Sequence, residues 1–281
     1  MSTAVAPGSV VVGVDGSPFS DAAVSWAAAY AAAHHAPLVL LHGVGDLGDS
    51  LIPYRVDARE MLTRESHRIT SHALGLVRTS DPDLDVSVHA VLEDARAALL
   101  GVEHAGMLVV GTRGRGSIRT LVLGSVSQAV LSHADVPVTV VRAAEGREDP
   151  EAAAVVVGVD LDDTARPTLD VGFEVASMTG RPLDAVHAWS AVHELPEERA
   201  RGLAEVMAGY AEKYPDVAVA TRLVDASPVP ALVRESETAA HLVVGSRPRG
   251  RVGRHFGSVG RAVVEHAHCP VTITPAPADG R

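Results

Sequence analysis

Lysine, cysteine and aromatic rings are nearly absent from this chain, and each shortage closes a class of function. All but one of its 24 basic residues are arginine. The exception, Lys213, lies in GluLysTyrPro with no glycine loop around it, which excludes the Gly-Lys-Ser/Thr loop of phosphate-loop NTPases. The single cysteine, Cys269, rules out a disulfide framework and a cysteine zinc knuckle and fits a reducing compartment. With 3 Phe, 4 Tyr and 2 Trp, the core falls to Val, Leu and Ala. The 35 acidic residues give a net charge of −11. A general nucleic-acid binder is therefore not expected, since that function needs a basic face with stacking rings.

A secretory signal is also missing. The first basic residue is Arg55, so no positive region precedes an apolar stretch. The Ala-rich run from Ala22 to Ala33 is too short and too weakly apolar to span a bilayer. A cytoplasmic location is expected. What is present is an ordinary globular composition, 47% hydrophobic and 21% charged over 281 residues. That length suits one large domain or two modest ones.

Internal repetition decides between these. ValValGlyValAsp at 11–15 returns at 156–160, and LeuHis at 41–42 has its counterpart in ValHis at 186–187, both at an offset of 145. ValValGly at 109–111 returns at 243–245, and HisAlaAspValProVal at 133–138 returns as HisAlaHisCysProVal at 266–271. The order is kept while the spacing shrinks by about a dozen residues. Two homologous domains are expected, 1–146 and 151–281, because repeats of this length exceed solenoid units. The charged, Ala-rich stretch from Ala143 to Ala153, with Pro150 inside it, reads as the linker.

Each half alternates β-branched runs with helical patterns. In the first half the pattern predicts strands at 9–15, 37–44, 85–91, 107–111 and 136–142. It predicts helices near 20–35, 55–80, 95–105 and 124–133, with Ser20 as the first N-cap. The strands are near-continuous apolar runs, as in a parallel sheet covered on both faces. The expected fold class is α/β: two tandem doubly wound, Rossmann-like domains, each a five-stranded mainly parallel sheet flanked by helices. Ligands of such sheets sit beyond the carboxyl ends of the strands, so the residues just after each strand carry the functional question.

Asp15 ends the first strand and Asp160 its counterpart. A carboxylate there can accept from ribose hydroxyls or hold a metal near phosphates, and it can equally cap a helix. After the fourth strand, Gly111 and Gly114 are separated by two residues, nine more follow, and Gly124-Ser125 open a helix. Glycines let backbone N–H groups approach an anion, and a helix N-terminus adds unsatisfied amides and its positive dipole end. Ser125 and Ser127 bring hydroxyls to the same place.

This Gly-2x-Gly-9x-Gly-Ser pattern, with ValGlyValAspGlySer at the first strand and HisAlaAspValProVal at the fifth, resembles the universal stress protein family. The whole chain is similar to the tandem members common in actinobacteria, and the spaced glycines mark the ATP-binding subgroup. The resemblance implies ATP, with or without Mg2+, as the ligand. It implies that Asp15 meets the ribose or adenine and that Gly43, after His42, passes the adenine ring. Val110, Gly111, Arg113, Gly114, Gly124, Ser125, Val126 and Ser127 then surround the phosphates and ribose. In the second half the matching positions are Asp160, Ala188, Gly245, Gly257 and Ser258.

Loop arginines are dense: Arg113, Arg115 and Arg119 in the first half, Arg247, Arg249, Arg251, Arg254 and Arg261 in the second. Guanidinium groups suit phosphate, or simply a solvated loop face. His266, His268 and Cys269 do not make a metal cluster, because the matching stretch has Asp135 and Val136 in place of the second His and the Cys. Cys269 is expected as a small buried side chain beginning a strand. No GxSxG elbow is present to support a hydrolase.

The leading expectation is an ATP-binding regulatory stress-response protein in which bound nucleotide sets conformation or partner choice. No residue is an obvious water-positioning base, so it is not read as an enzyme, and any ATPase activity should be slow. An adenylyl-transferring or ATP-pyrophosphatase enzyme normally carries a SerGlyGly-rich loop or a His-x-Gly-His signature, and neither appears. A nucleotide-independent interaction module remains open for the second half. There, Pro248 replaces the second glycine, the glycine-to-glycine spacing is 12 residues against 13, and Gly260 replaces Ser127. Each half ends on a strand (136–142 and 270–274) that reads as a sheet edge. Edge pairing within or between chains, and a homodimer, are therefore expected.

Overall fold

The structure is a computed structural model describing residues 3–45, 55–114, 123–142, 153–162, 165–189, 196–246 and 257–276. The chain divides into two compact units, Met1–Ala144 and Glu145–Arg281.

In the first unit the elements run β1 (Thr3–Gly13), α1 (Pro18–Ala33), β2 (Leu38–Gly43), α2 (Arg55–Ser80) and β3 (Val86–Val91). Then follow α3 (Ala95–Leu100), β4 (Val102–Gly111), α4 (Ser125–His133) and β5 (Val138–Val141). The sheet order is β3-β2-β1-β4-β5, with parallel pairing throughout. The chain leaves β1 toward β2 on one side and returns as β4 on the other, so a crevice opens beyond the ends of β1 and β4. Apolar runs such as Val10–Val12 and Leu38–Leu41 are buried.

The second unit repeats this plan. Its elements begin β6 (Val155–Gly158), α5 (Ala165–Thr179), β7 (Leu183–Trp189), α6 (Pro196–Met207) and α7 (Tyr210–Lys213). They continue β8 (Val219–Asp225), α8 (Pro228–Glu235), β9 (His241–Gly245), α9 (Ser258–His266) and β10 (Val271–Thr274). The order β8-β7-β6-β9-β10 is again parallel, with its crevice beyond β6 and β9.

Three local expectations are corrected. The N-cap of α1 is Ser17, not Ser20: its side chain accepts the Ser20 N–H, and Pro18 fills the first helical position, where a missing N–H costs nothing. The third helix stops at Leu100, capped by Gly101, because Val102–Ala105 pair with an N-terminal extension of β1. Cys269 is buried but lies before β10, separated from it by Pro270. Most of the linker (143–152) lies outside the described residues, as do Arg115, Arg119, Arg247, Pro248, Arg249, Arg251 and Arg254. No described helix is long and apolar enough to cross a membrane.

Candidate functional site

Three side chains tie β1 to α1. Asp15 Oδ1 accepts the Ser17 N–H at 2.9 Å, Ser17 Oγ accepts the Ser20 N–H at 3.2 Å, and Ser20 Oγ accepts the Asp15 N–H at 3.2 Å. Asp15 thus shapes the turn before the helix without being its cap, and its second oxygen turns toward the glycine loop. A Cβ built on Gly114 would lie 2.7 Å from Asp15 Oδ2.

The end of β4 is joined to α4 just as closely. Thr112 donates to the Val141 carbonyl at 3.0 Å, and Gly124 donates to the Thr112 carbonyl at 2.9 Å. Ser127 Oγ donates to the Gly111 carbonyl at 2.7 Å. The Ser127 hydroxyl, expected at a phosphate, is therefore a strut between strand and helix. Arg113 lies over the Phe19 ring, 5.7 Å from its centroid, which fixes its stem beside the loop.

The glycines act through space rather than through positive φ, which none of Gly111, Gly114 and Gly124 adopts. A Cβ on Gly111 would be 2.7 Å from the Phe19 carbonyl oxygen, so this glycine is required by packing. A Cβ on Gly124 would meet nothing closer than 3.5 Å, an ordinary contact. Gly124 is the N-cap of α4, at φ −62° and ψ 153°, and no side chain caps the first-turn amides. By contrast, α1 and α3 are capped by Ser17 and Asp94. Open amides and the helix dipole make this the natural place for an anion.

These groups enclose a cavity of about 400 Å³. It is lined by every residue expected to bind in the first half: Asp15, Gly43, Val110, Gly111, Arg113, Gly114, Gly124, Ser125, Val126 and Ser127. Sequence reasoning missed Ala95 and Leu99, through which α3 forms one wall. Gly43 makes that approach possible, since a Cβ there would be 2.5 Å from Ala95 Cα.

The second unit holds a cavity of about 310 Å³ lined by Asp160, Ala188, Gly245, Gly257 and Ser258, with Gly260, Pro228 and Leu232 also on its wall. Gly257 is again an N-cap, of α9, without a side-chain bond. Gly260 offers no strut to Gly245, and Ala188 adds a methyl where the first unit has Gly43. Arg261 is not among the lining residues: its Nε donates to Glu265 Oε1 at 2.9 Å, one turn along α9. His266 Nδ1 bonds the Ala262 carbonyl, and the His268 N–H donates to Ser236 Oγ. No metal-binding group of three or more His, Cys, Asp or Glu occurs among the described residues.

Comparison with known proteins gives a consistent result. The universal stress protein family matches residues 8–142 and again 153–275. Universal stress protein Rv2005c of Mycobacterium tuberculosis is 36% identical over 282 residues, covering 94% of this chain and 96% of its own length. The crystal structure of a universal stress protein from Archaeoglobus fulgidus superposes with a TM-score of 0.73 at 20% identity, covering 98% of each chain. Another from Archaeoglobus fulgidus, solved in complex with dAMP, is 25% identical across 43% of this chain and 97% of its own, with a TM-score of 0.36.

Proposed function

Because the chain belongs to the universal stress protein family, as a tandem of two of its domains, we propose that it binds an adenine nucleotide, ATP foremost, in the first-unit cavity. The observation that carries this reading is the uncapped start of α4. Its Gly124 N-cap leaves the first-turn amides open to a cavity whose other wall bears Asp15 and the Gly111–Gly114 turn. The donor set fits a polyphosphate and a sugar: backbone amides, the Ser125 hydroxyl and Arg113 for the anion, a carboxylate acceptor for hydroxyl groups. About 400 Å³ also lies within the roughly 300–1,000 Å³ of ordinary small-molecule sites.

Bound nucleotide acts in this reading as a conformational ligand in a stress-response regulator, with or without Mg2+, and is not turned over quickly. Asp15 already accepts the Ser17 N–H and is poorly disposed to activate water. The second cavity, smaller and with Ala188 where the first has Gly43, is read as binding the nucleotide ten- to a hundred-fold more weakly, about 1.4–2.8 kcal/mol, or not at all. The protein is read as a cytoplasmic homodimer; light scattering that gives a strict monomer at micromolar concentration removes the dimer.

The test is to denature freshly purified protein, identify any released nucleotide and count it per chain, then titrate emptied protein with ATP. About one ATP per chain is expected. No release and no binding overturns the reading, and two equivalent sites overturn the asymmetry alone.

A further inference from the structure

We propose that Phe19 is the positioning residue for Arg113, and that this pair makes the first cavity prefer a nucleoside triphosphate to a monophosphate; this rests on the nucleotide reading above. Among the described residues lining the cavity, Arg113 is the single cation. Its Cα lies 3.5 Å from the position a Gly124 Cβ would take, so its side chain starts directly beside the open beginning of α4. Its guanidinium carbon lies 5.7 Å from the centroid of the Phe19 ring, within the range of a cation–π contact. Phe19 is not among the described residues lining the cavity. It stands in the first turn of α1, with its backbone pressed against the end of β4. A Cβ on Gly111 would be 2.7 Å from the Phe19 carbonyl oxygen and 3.0 Å from the Phe19 Cβ. The ring is thus a fixed platform beside the loop, and the arginine is laid across it.

An arginine that waves in solvent loses rotamer freedom when it closes on a phosphate. A stacked guanidinium has already given up much of that freedom, and the ring face holds it without using its N–H donors, which stay available to an anion. The phosphate number of the ligand then decides how much this matters. A single phosphate group is served by the amides at one helix start. Each further phosphate adds negative charge and acceptor oxygens that need a donor outside that helix. Arg113 is the one described side chain lining the cavity that offers both positive charge and a fork of donors. The second half keeps an arginine at the matching position, Arg247, but has Thr164 where Phe19 stands, so the ring is particular to the first half.

Calorimetric titration with ATP and with AMP, on wild type, Phe19→Leu, Phe19→Tyr, Arg113→Gln and the Phe19→Leu, Arg113→Gln double variant, tests this. Wild type is expected to prefer ATP by at least tenfold (about 1.4 kcal/mol). Arg113→Gln should cut that preference about tenfold. Phe19→Leu should weaken ATP binding about fivefold (about 1 kcal/mol) and AMP binding less than about twofold. Phe19→Tyr, which keeps the ring, should match wild type. In the Arg113→Gln background, Phe19→Leu should change ATP affinity no further. Equal affinity of wild type for the two ligands, or an unchanged ratio in Arg113→Gln, overturns the proposal without any Phe19 variant and leaves the nucleotide reading intact. Unchanged ATP affinity in Phe19→Leu, an equal loss for both ligands, or the same loss with and without Arg113 overturns it as well. A wild type that binds neither ligand overturns the nucleotide reading, and this inference with it.

Discussion

In the first unit the buried His42 ring bonds the Val14 carbonyl through Nδ1 at 2.6 Å; in the second, His187 makes the same bond to Val159 at 2.8 Å. A Cβ on Gly13 would sit 3.1 Å from Leu99, and one on Gly158 would sit 3.1 Å from Leu232. Both sheets keep their order, and both fourth strands lead to a helix capped by glycine. The positions facing the cavities are less alike. Ser20, Gly43, Ala95 and Ser127 correspond to Ala165, Ala188, Pro228 and Gly260, and the enclosed volume falls from about 400 to about 310 Å³. The contacts inside each sheet are duplicated, whereas the residues around the cavity differ, the Ser20 and Ser127 ties included.

The comparison can be broken most forcefully at Gly111. Gly111→Val pushes a side chain into the Phe19 carbonyl, backbone that cannot yield cheaply. Overpacking of this kind costs about 1–3 kcal/mol or more. Calorimetry should show the first unit melting about 5–10 °C lower, and an unchanged melt would refute the packing role. Gly124→Val is expected to do the reverse: no change in melting temperature, but ATP affinity reduced about a hundred-fold (about 2.8 kcal/mol). Unchanged affinity in a folded Gly124→Val protein would sink the site assignment.

A smaller difference lies in the cores. His241 stands where the first unit has Met107, and its Nε2 meets Thr272 Oγ1 at 2.7 Å. Burial pushes the His241 ring down to about 3 from the ordinary 6.5. Below pH 6.5 the unfolded chain takes up a proton that the folded unit refuses. Stability of the second unit should therefore fall as pH drops toward 3, by at most about 1.4 kcal/mol per pH unit. His241→Met should remove this slope, checked by urea midpoints at pH 7 and pH 5; equal slopes in both proteins would refute it. Smallest is Ser127→Ala, which deletes the strut to Gly111. About 1 kcal/mol of stability is expected to go, and grafting the hydroxyl as Gly260→Ser should tighten nucleotide binding in the second unit by no more than a few-fold.

Much of this was legible in the residues. The helix expected at 55–80 is α2 over the same span, and the fourth helix differs by one residue. The third helix was overextended because Glu103-His104-Ala105 carries no strand pattern; those residues become strand by pairing with the extension of β1, a tertiary effect. At the site, residues with chemistry or unusual spacing were visible: Asp15, the glycines and the serines. Ala95 and Leu99 were not, since an apolar residue carries no mark of the wall it forms. Ser127 lies on the cavity wall while its hydroxyl donates to the Gly111 carbonyl, and spacing alone does not tell a hydroxyl that faces a ligand from one that braces a strand.

The paired histidines have a practical consequence. A carbonyl oxygen only accepts, so Nδ1 of His42 and of His187 must carry a proton, which makes one tautomer of each neutral ring obligatory. Ring nitrogen resonances of these two residues are thus well-defined spectroscopic addresses, one in each unit, each bonded to the residue just before the strand-end aspartate. A ligand entering the first cavity should move the His42 signals and leave those of His187 in place. The intact chain in this way carries a separate occupancy meter for each of its halves.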